Sequence, residues 1–145
     1  MRNRLPRRTG HTLVELVLVM IVMTLAALIG IRQFQLLLDR LATRDAVRAA
    51  GGVVGQARDQ AVALHTPVSV RIDTLAGTLE LTSRDGRLAL ATLGTTHGVS
   101  ISTTRDSITF DIRGLGYGAA NLTFVARRGR SADTLVTSRL GRTRY

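Results

Sequence analysis

The feature that most constrains this chain is an apolar run near its start, from Leu13 to Ile31, whose only ionisable side chain is that of Glu15. At ~1.5 Å rise per residue, these residues would form a helix roughly 28 Å long, about the hydrocarbon thickness of a bilayer. A segment in lipid must satisfy its backbone hydrogen bonds internally, which favours a helix. The run therefore predicts one membrane-spanning helix.

Glu15 is an unusual residue in such a helix, because a carboxylate in lipid is costly unless it lies near the interface or meets a cation. Two interpretations stay open. About three residues separate Glu15 from the polar flank, so the side chain could lie at interfacial depth. Alternatively, an α-amine created by cleavage just upstream could neutralise it, in the same chain or in a packed neighbour.

A cleavage point precedes the apolar run. Gly10 follows Arg7, Arg8 and Thr9 directly, whereas a secretory signal is cut after its apolar region. The segment RTG-HTLVEL resembles the class III leader of type IV pilins and type II secretion pseudopilins.

This resemblance implies that residues 1–10 are a leader and that residues 11–31 are the transmembrane helix. A prepilin peptidase would cut between Gly10 and His11 on the cytoplasmic side, and His11, which stands where the family usually has Phe, would become N-methylated. Glu15 would be the retained acid used in assembly.

Charge has to be counted with and without the leader. The whole chain has a formal net charge of +10, with 20 basic residues, all of them Arg, against 10 acids. Without the four leader Arg, sixteen Arg remain against ten acids, or +6. The chain has no Cys, which excludes disulfides, thiolate metal sites and a thiol nucleophile.

The orientation follows from the leader. The positive-inside count is close to a tie, because Arg residues follow the apolar run as well as precede it. The leader motif breaks the tie and implies a bacterial inner-membrane protein with a single pass and its C-terminal domain in the periplasm.

Residues 32–65 predict an amphipathic continuation of the helix. Apolar residues recur there at spacings of three or four, and the stripe comprises Leu38, Ala42, Ala46, Ala50, Val53, Ala57, Ala61 and Leu64. Three glycines, Gly51, Gly52 and Gly55, each cost about 1 kcal/mol relative to Ala in an exposed helix, so a local loosening near residue 51 is possible.

From Pro67 the apolar period changes to two, which predicts a β-domain over residues 66–138. About seven short strands are expected, and an Asp85-Gly86 turn joins two of them as a hairpin. The apolar members of the runs are Val68, Val70, Ile72, Leu79, Leu81, Leu88, Leu90, Val99, Ile101, Ile108, Phe110, Ile112, Leu122, Phe124, Leu135 and Val136. The fold class is therefore α+β, with the Ala-rich stripe covering a small, mainly antiparallel β-domain.

Two C-terminal segments extend the resemblance. TFDIRGLG at residues 109–116 and SRLGRTR at residues 138–144 resemble the F-D-x-R-G motif and the closing G-R-x-R of the GspH/FimT family of minor pseudopilins and pilins. Members of that family combine a helical spine with a β-domain. The resemblance spans nearly the whole chain.

No pattern of catalytic residues emerges. His11, His65 and His97 are far apart in the sequence, and no H-E-x-x-H or G-x-S-x-G motif occurs. Residues 114–119 superficially resemble a dinucleotide-binding turn, but the segment that follows alternates like a strand, whereas such a turn needs a helix. We therefore predict no enzymatic activity, no cofactor and no metal site.

The one binding candidate is a basic C-terminal tail, residues 139–145. From residue 127 onward the chain has six Arg and one acid, and clustered guanidinium groups attract phosphate. In DNA-uptake members of the FimT branch the closing motif belongs to a DNA-binding surface, which implies Arg139, Gly141, Arg142 and Arg144 as DNA-binding residues here. The alternatives are a solvated tail or pairing with acids on a neighbouring subunit.

Taken together, the sequence favours a minor pseudopilin of a type II secretion pseudopilus. Its expected partners are sibling pseudopilins or pilins, the prepilin peptidase, the inner-membrane assembly platform and the inner membrane. A FimT-like minor type IV pilin that binds DNA for uptake is the first alternative. A signal-anchored periplasmic binding module is the second.

Overall fold

A computed structural model describes residues 12–117, 121–138 and 140–145. Its main helix, α1, comprises Leu13–Leu64. Near its N-terminus, α1 is long and apolar enough to cross a membrane, with a mean hydropathy of 2.7 over its most apolar window. The chain divides into two compact units, Met1–Gln35 and Leu36–Tyr145.

The second unit contains the rest of α1 and a β-domain of two four-stranded antiparallel sheets, ordered β3-β2-β1-β5 and β4-β6-β7-β8. We call them sheet A and sheet B. The elements after α1 are β1 (Val68–Asp73), β2 (Thr78–Ser83), β3 (Gly86–Thr92), α2 (Leu93–His97), β4 (Ser100–Thr103), β5 (Ser107–Phe110), β6 (Leu122–Arg128), β7 (Ser131–Thr137) and β8 (Thr143–Arg144). The predicted α+β class is confirmed.

The core lies between the second part of α1 and the inner faces of both sheets. The helix contributes mainly small side chains. The sheets contribute the bulk, including Phe110 from sheet A and Phe124 from sheet B, both almost fully buried. The buried helix residues are Thr43, Ala46, Val47, Ala50, Gly51, Val54, Ala57 and Ala61.

The predicted helical stripe is correct at its centre and wrong at its ends. Leu38 and Leu64 are 43% and 49% exposed. Because a step of four residues turns about 40° beyond a full helical turn, a stripe of such steps drifts around the helix. The buried side of the helix instead includes Val47 and Val54, which are not part of the predicted stripe. No loosening occurs near Gly51, since the helix continues through it.

The β2–β3 hairpin forms around the Asp85-Gly86 turn as predicted. Its second strand, however, faces the opposite way, because Leu88 and Leu90 point outward, at 37% and 51% exposure. The register shifts after Leu81, and Ala89 and Ala91 then lie opposite buried leucines of β2. Because β3 has apolar residues on both faces, the alternation in its sequence does not determine which face is buried.

The chain also ends differently from the prediction. Residues 139–145 were expected to form a tail outside the β-domain, but β8 pairs with β7 in the register Val136↔Arg144 and Thr137↔Thr143. The part of the chain that the structure describes therefore has eight strands, not about seven. The sequence does not predict this short strand, because Thr143 and Arg144 have no apolar alternation. Ile112, predicted in a strand, lies in the turn after β5.

Candidate functional site

The start of α1 carries the acid singled out in the sequence. Gly10 and His11, the predicted cleavage pair, lie outside the described residues. Thr12 caps the helix, because its Oγ1 accepts a hydrogen bond from the Glu15 backbone N at 3.3 Å and its carbonyl accepts one from Leu16 N at 3.2 Å. Glu15 lies in the first turn of α1.

The spacing of Thr12 and Glu15 corresponds to a capping box, in which a Thr at the N-cap and a Glu three residues later satisfy the first backbone N–H groups. A carboxylate there also interacts favourably with the helix dipole. Glu15 can therefore contribute to starting the helix as well as to assembly. Any test of the residue has to separate the cap from the charge.

The F-D-x-R-G motif forms a closed turn organised by Asp111. Its carboxylate accepts hydrogen bonds from the backbone N of Arg113 at 2.9 Å and of Leu115 at 2.8 Å, and pairs with the Arg113 guanidinium at 3.2 Å. These bonds, that from Leu115 above all, lower the pKa of Asp111 below its ordinary value despite partial burial. Asp111 is thus a structural residue of the turn.

Arg58 joins the two C-terminal motifs on the surface of α1. A Cβ built on Gly114, at φ +73°, would lie 3.0 Å from the Arg58 Cγ, and one on Gly141, at φ +72°, 3.3 Å from its Cδ. The Cβ built on Gly141 would also lie 3.4 Å from the Gly114 carbonyl oxygen and 3.5 Å from the Phe110 Cε1. The glycines of both motifs are therefore required by backbone conformation and by close packing.

The contact between the two motifs was not predicted. Each motif was recognised separately, and Arg58 was one basic residue among many on the exposed face of the helix. No signal in a single sequence distinguishes it. Gly141, which the resemblance implies as part of a DNA-binding motif, packs closely against Arg58 in the described structure, and its part in DNA binding stays a prediction.

The five C-terminal Arg that the structure describes lie in two groups. Arg127, Arg128 and Arg130 belong to the β6–β7 hairpin, whose last pair is Arg128↔Ser131. Arg144 pairs with Val136, which in turn lies opposite Thr123. Arg139 lies outside the described residues, and Arg142 is exposed in the turn before β8.

The two groups lie toward opposite ends of sheet B. Arg127 and Thr123 are four residues apart on β6 and share a face. The cross-strand row of Arg127 and the row that contains Thr123, Val136 and Arg144 are therefore separated by roughly 13 Å along the strands. The row between them contains Val125 and Thr134 and no charge. Among the described residues of sheet B, the basic groups therefore do not form a continuous basic track.

The β6–β7 hairpin is fastened to α1. The Arg128 Nε lies 3.1 Å from Asp39 Oδ1, and its Nη1 donates to the His97 carbonyl at 2.8 Å. Gly129, at φ +55°, lies so close to Asp39 that a Cβ there would be 2.5 Å from Oδ2. The turn thus needs glycine for its conformation and for its contact with the helix.

Within the described ranges, no three His, Cys, Asp or Glu side chains lie close enough together to hold a metal ion. His97 lies at the end of α2, and Gly98 caps that helix in the left-handed conformation. His65 follows α1 with φ 50°. Three open depressions on the described surface are lined by residues of α1 alone or of α1 and β7.

A long, apolar N-terminal helix whose second part packs on antiparallel β-sheets defines the type IV pilin-like fold. Two solved structures with this fold are the type IV minor pilin FimU of Pseudomonas aeruginosa and the minor pseudopilin EpsH from the type 2 secretion system of Vibrio cholerae. FimU aligns with a TM-score of 0.61 at 17% identity, covering 72% of this chain and 88% of its own.

EpsH aligns with a TM-score of 0.56 at 13% identity, covering 70% of this chain and 94% of its own. No protein-family model and no curated protein sequence matches the chain. At these identities the likeness establishes the fold. The predicted GspH/FimT-like, type IV pilin-like fold is confirmed.

Proposed function

We propose that this chain is a non-enzymatic minor subunit of a type II secretion pseudopilus that contributes to protein secretion. The observation that carries the proposal is the combination of a pilin-like fold with a helix whose first residues, from Leu13, are apolar enough to span a membrane. A minor pilin and a minor pseudopilin share that fold, and both are filament subunits. The leader resemblance at Gly10 supports the same conclusion.

In this proposal the chain is made as an inner-membrane precursor with residues 1–10 on the cytoplasmic side and its β-domain in the periplasm. The peptidase cuts between Gly10 and His11, and His11 is N-methylated. The assembly platform then extracts the subunit into a filament, where residues 11–31 pack against equivalent helices of sibling subunits. The carboxylate of Glu15 meets the α-amine of a neighbour in that bundle.

Mass spectrometry of the intact protein tests the processing step. Purified from cells that contain the prepilin peptidase, the wild-type chain should begin at His11 and carry one methyl group. Gly10→Leu should keep its leader, while the matched leader variant Arg4→Gln should be processed as wild type. A wild-type chain that retains residues 1–10 would contradict the proposal and favour a signal-anchored periplasmic binding module.

A FimT-like minor type IV pilin that takes up DNA is the second candidate. It is favoured by Arg142 and Arg144, which are exposed and form no ion pair within the described part of the chain. The identity of neighbouring genes would separate the two systems. A secretin, an assembly ATPase and sibling pseudopilins beside this gene would support secretion, whereas competence genes would support DNA uptake.

A further inference from the structure

An open depression of about 340 Å³ lies between the second part of α1 and the start of β7. Both of its walls belong to the second unit, Leu36–Tyr145. Its lining includes Leu37, Arg40, Leu41 and Arg44 of α1 and Ala132 and Asp133 of β7. We call it the α1–β7 depression. Because these side chains line one cavity, they are available together to a single ligand.

Hydrogen bonds hold the two walls of the depression together. Thr43 Oγ1 and Ser131 Oγ are 3.1 Å apart, and the Thr43 hydroxyl donates to the Arg40 carbonyl at 3.0 Å. Because the one hydroxyl proton of Thr43 is used in that bond, Ser131 is the donor to Thr43. One turn earlier in the helix, Asp39 pairs with Arg128 of the β6–β7 hairpin. The depression is therefore preformed, and these two hydroxyl groups are satisfied without a ligand.

The charged side chains of the depression are not paired with one another. No ion pair within the described ranges involves Arg40, Arg44 or Asp133. Arg40 and Arg44 lie one helical turn apart, a spacing at which like charges repel. The Asp133 carboxylate accepts a hydrogen bond from the Thr134 N at 2.9 Å. Two Arg and one Asp line the depression, so its formal charge is +1, which favours an anionic ligand.

Apolar side chains lie beside these charges. Leu37 and Leu41 are 49% and 46% exposed, and they offer apolar surface that a partner can cover. A nucleic-acid backbone would leave both leucines in water, and its closely spaced phosphates would be repelled by Asp133. A ligand that carries both carboxylates and apolar side chains matches the arginines and the leucines together. The chemistry of the depression therefore fits a protein better than a nucleic acid.

The spacing of the two pairs matches that of a second helix. Arg40 and Arg44 are four residues apart, as are Leu37 and Leu41, and four residues rise about 6 Å along a helix. A partner helix whose acids and leucines repeat at the same interval can place its carboxylates at the guanidinium groups and its leucines against those of α1. Arginine can form two parallel hydrogen bonds with a carboxylate, which fixes the register of the two helices.

We propose that the α1–β7 depression binds an acidic amphipathic helix of another protein chain. The carboxylates of that helix bind Arg40 and Arg44, and its apolar side chains cover Leu37 and Leu41. Asp133 limits the affinity, because it repels the acids of the partner. The inference goes beyond the proposed function and does not depend on it, because every lining residue belongs to the second unit.

Disulfide tethering tests the proposal with defined peptides, since the chain has no native Cys. Ala132→Cys places one thiol in the depression, and Ala76→Cys places a control thiol in the exposed turn between β1 and β2. The probe is a helical, Ala-rich peptide with one Cys, a pair of Glu and a pair of Leu, each pair four residues apart. The matched peptide has Gln in place of both Glu.

The full chain in a non-ionic detergent is equilibrated with each peptide in a thiol–disulfide buffer, and intact-mass spectrometry measures the tethered fraction. At Ala132→Cys we expect the Glu peptide to be tethered about three- to ten-fold more strongly than the Gln peptide, and high salt to remove the difference. R40Q/R44Q should abolish this preference. The matched control R71Q/R84Q removes two exposed arginines outside the depression and should keep it.

Two further variants separate binding from folding. Asp133→Asn should increase the preference for the Glu peptide, because the repelling charge is gone while Asn can still accept the hydrogen bond from Thr134 N. Misfolding cannot produce such a gain. L37S/L41S should weaken the tethering of both peptides to a similar extent and keep the preference for Glu.

The outcomes decide the proposal independently of leader processing. Equal tethering of the two peptides at Ala132→Cys would overturn it, and so would the same preference at Ala76→Cys. If duplex DNA protected the Ala132→Cys thiol from alkylation, and R40Q/R44Q lost this protection while R71Q/R84Q kept it, the depression would belong to nucleic acid instead. Cleavage at Gly10 is measured separately, so the proposed function and this inference can fail one without the other.

Discussion

At the scale of single residues, Asp111 explains why one motif has its composition. Its carboxylate accepts hydrogen bonds from two backbone N–H groups of the turn that it begins, and it forms an ion pair with the Arg113 side chain. The backbone reverses direction at Gly114, where φ is positive and Arg58 leaves little space for a Cβ. Asp, Arg and Gly are thus explained by the turn itself, without a ligand.

The lowered pKa of Asp111 predicts a pH dependence of stability. Because the folded-state pKa is depressed, the ionised carboxylate stabilises the fold above the ordinary Asp pKa of about 3.9. This stabilisation is lost as the pH falls through the lower folded-state pKa. Asp111→Asn should therefore lower the Tm at pH 7, and the difference from wild type should shrink as the pH falls below about 4.

Thermal unfolding of the full chain in detergent, followed by circular dichroism, measures this difference. Asp85→Asn is the control, because the Asp85 carboxylate makes no hydrogen bond within the described ranges and the residue is exposed. It should change neither the Tm nor its pH dependence. A constant difference between Asp111→Asn and wild type from pH 7 to pH 3 would contradict the electrostatic role of Asp111.

At the scale of elements, α1 has two different surfaces where it passes the β-domain. Its buried side is built mainly of small residues, whereas its other side is exposed. Its glycines are not equivalent. A Cβ on Gly51 would be 2.5 Å from the Tyr145 hydroxyl oxygen, whereas one on Gly52 or Gly55 would meet no atom within 4 Å.

This difference predicts unequal changes in stability for neighbouring substitutions. Gly52→Ala should stabilise the protein by about 1 kcal/mol, because Ala is the better helix former and the site is open. Gly51→Ala should raise the free energy of unfolding by less, or not at all, because the Tyr145 ring has to move. Denaturant midpoints of the full chain in detergent measure both, with Gly55→Ala as a second open site. Equal gains at Gly51 and Gly52 would contradict the contact.

The sequence predicted the order and type of the elements better than the faces that they bury. Strong periodicity identified α1, and the Asp85-Gly86 turn identified the β2–β3 hairpin. It did not predict the outward Leu90, because β3 is apolar on both faces and its register depends on a shift in β2. The contact of Arg58 with Gly114 and Gly141 is non-local, so a single sequence contains no sign of it.

At the scale of the whole molecule, the distribution of charge matters more than its total. The chain has a formal net charge of +10, but the C-terminal arginines that the structure describes divide between the β6–β7 hairpin and the segment that ends in β8. The hairpin group lies beside Asp39 and the β8 group at the other end of sheet B. A long-range attraction to polyanions can come from the total charge, whereas a specific nucleic-acid site needs neighbouring groups.

The secretion proposal therefore predicts no specific role of Arg142 and Arg144 in DNA binding. R142A/R144A and the control R71A/R84A remove the same charge, so retardation of duplex DNA should fall equally for both and vanish for both at high salt. Gel retardation at two salt concentrations measures this. A selective loss for R142A/R144A would favour the DNA-uptake pilin instead.

The central claim is that the charge of Glu15 drives assembly with sibling subunits, and cross-linking to those subunits in membranes tests it most directly. Glu15→Gln keeps a side chain that can complete the capping box but removes the charge, while Thr12→Ala removes the cap and keeps the charge. With cleavage at Gly10 verified for each variant, we predict that Glu15→Gln and Glu15→Leu lose cross-linking on the order of ten-fold or more and that Thr12→Ala retains it. Wild-type cross-linking by Glu15→Gln would contradict the claim.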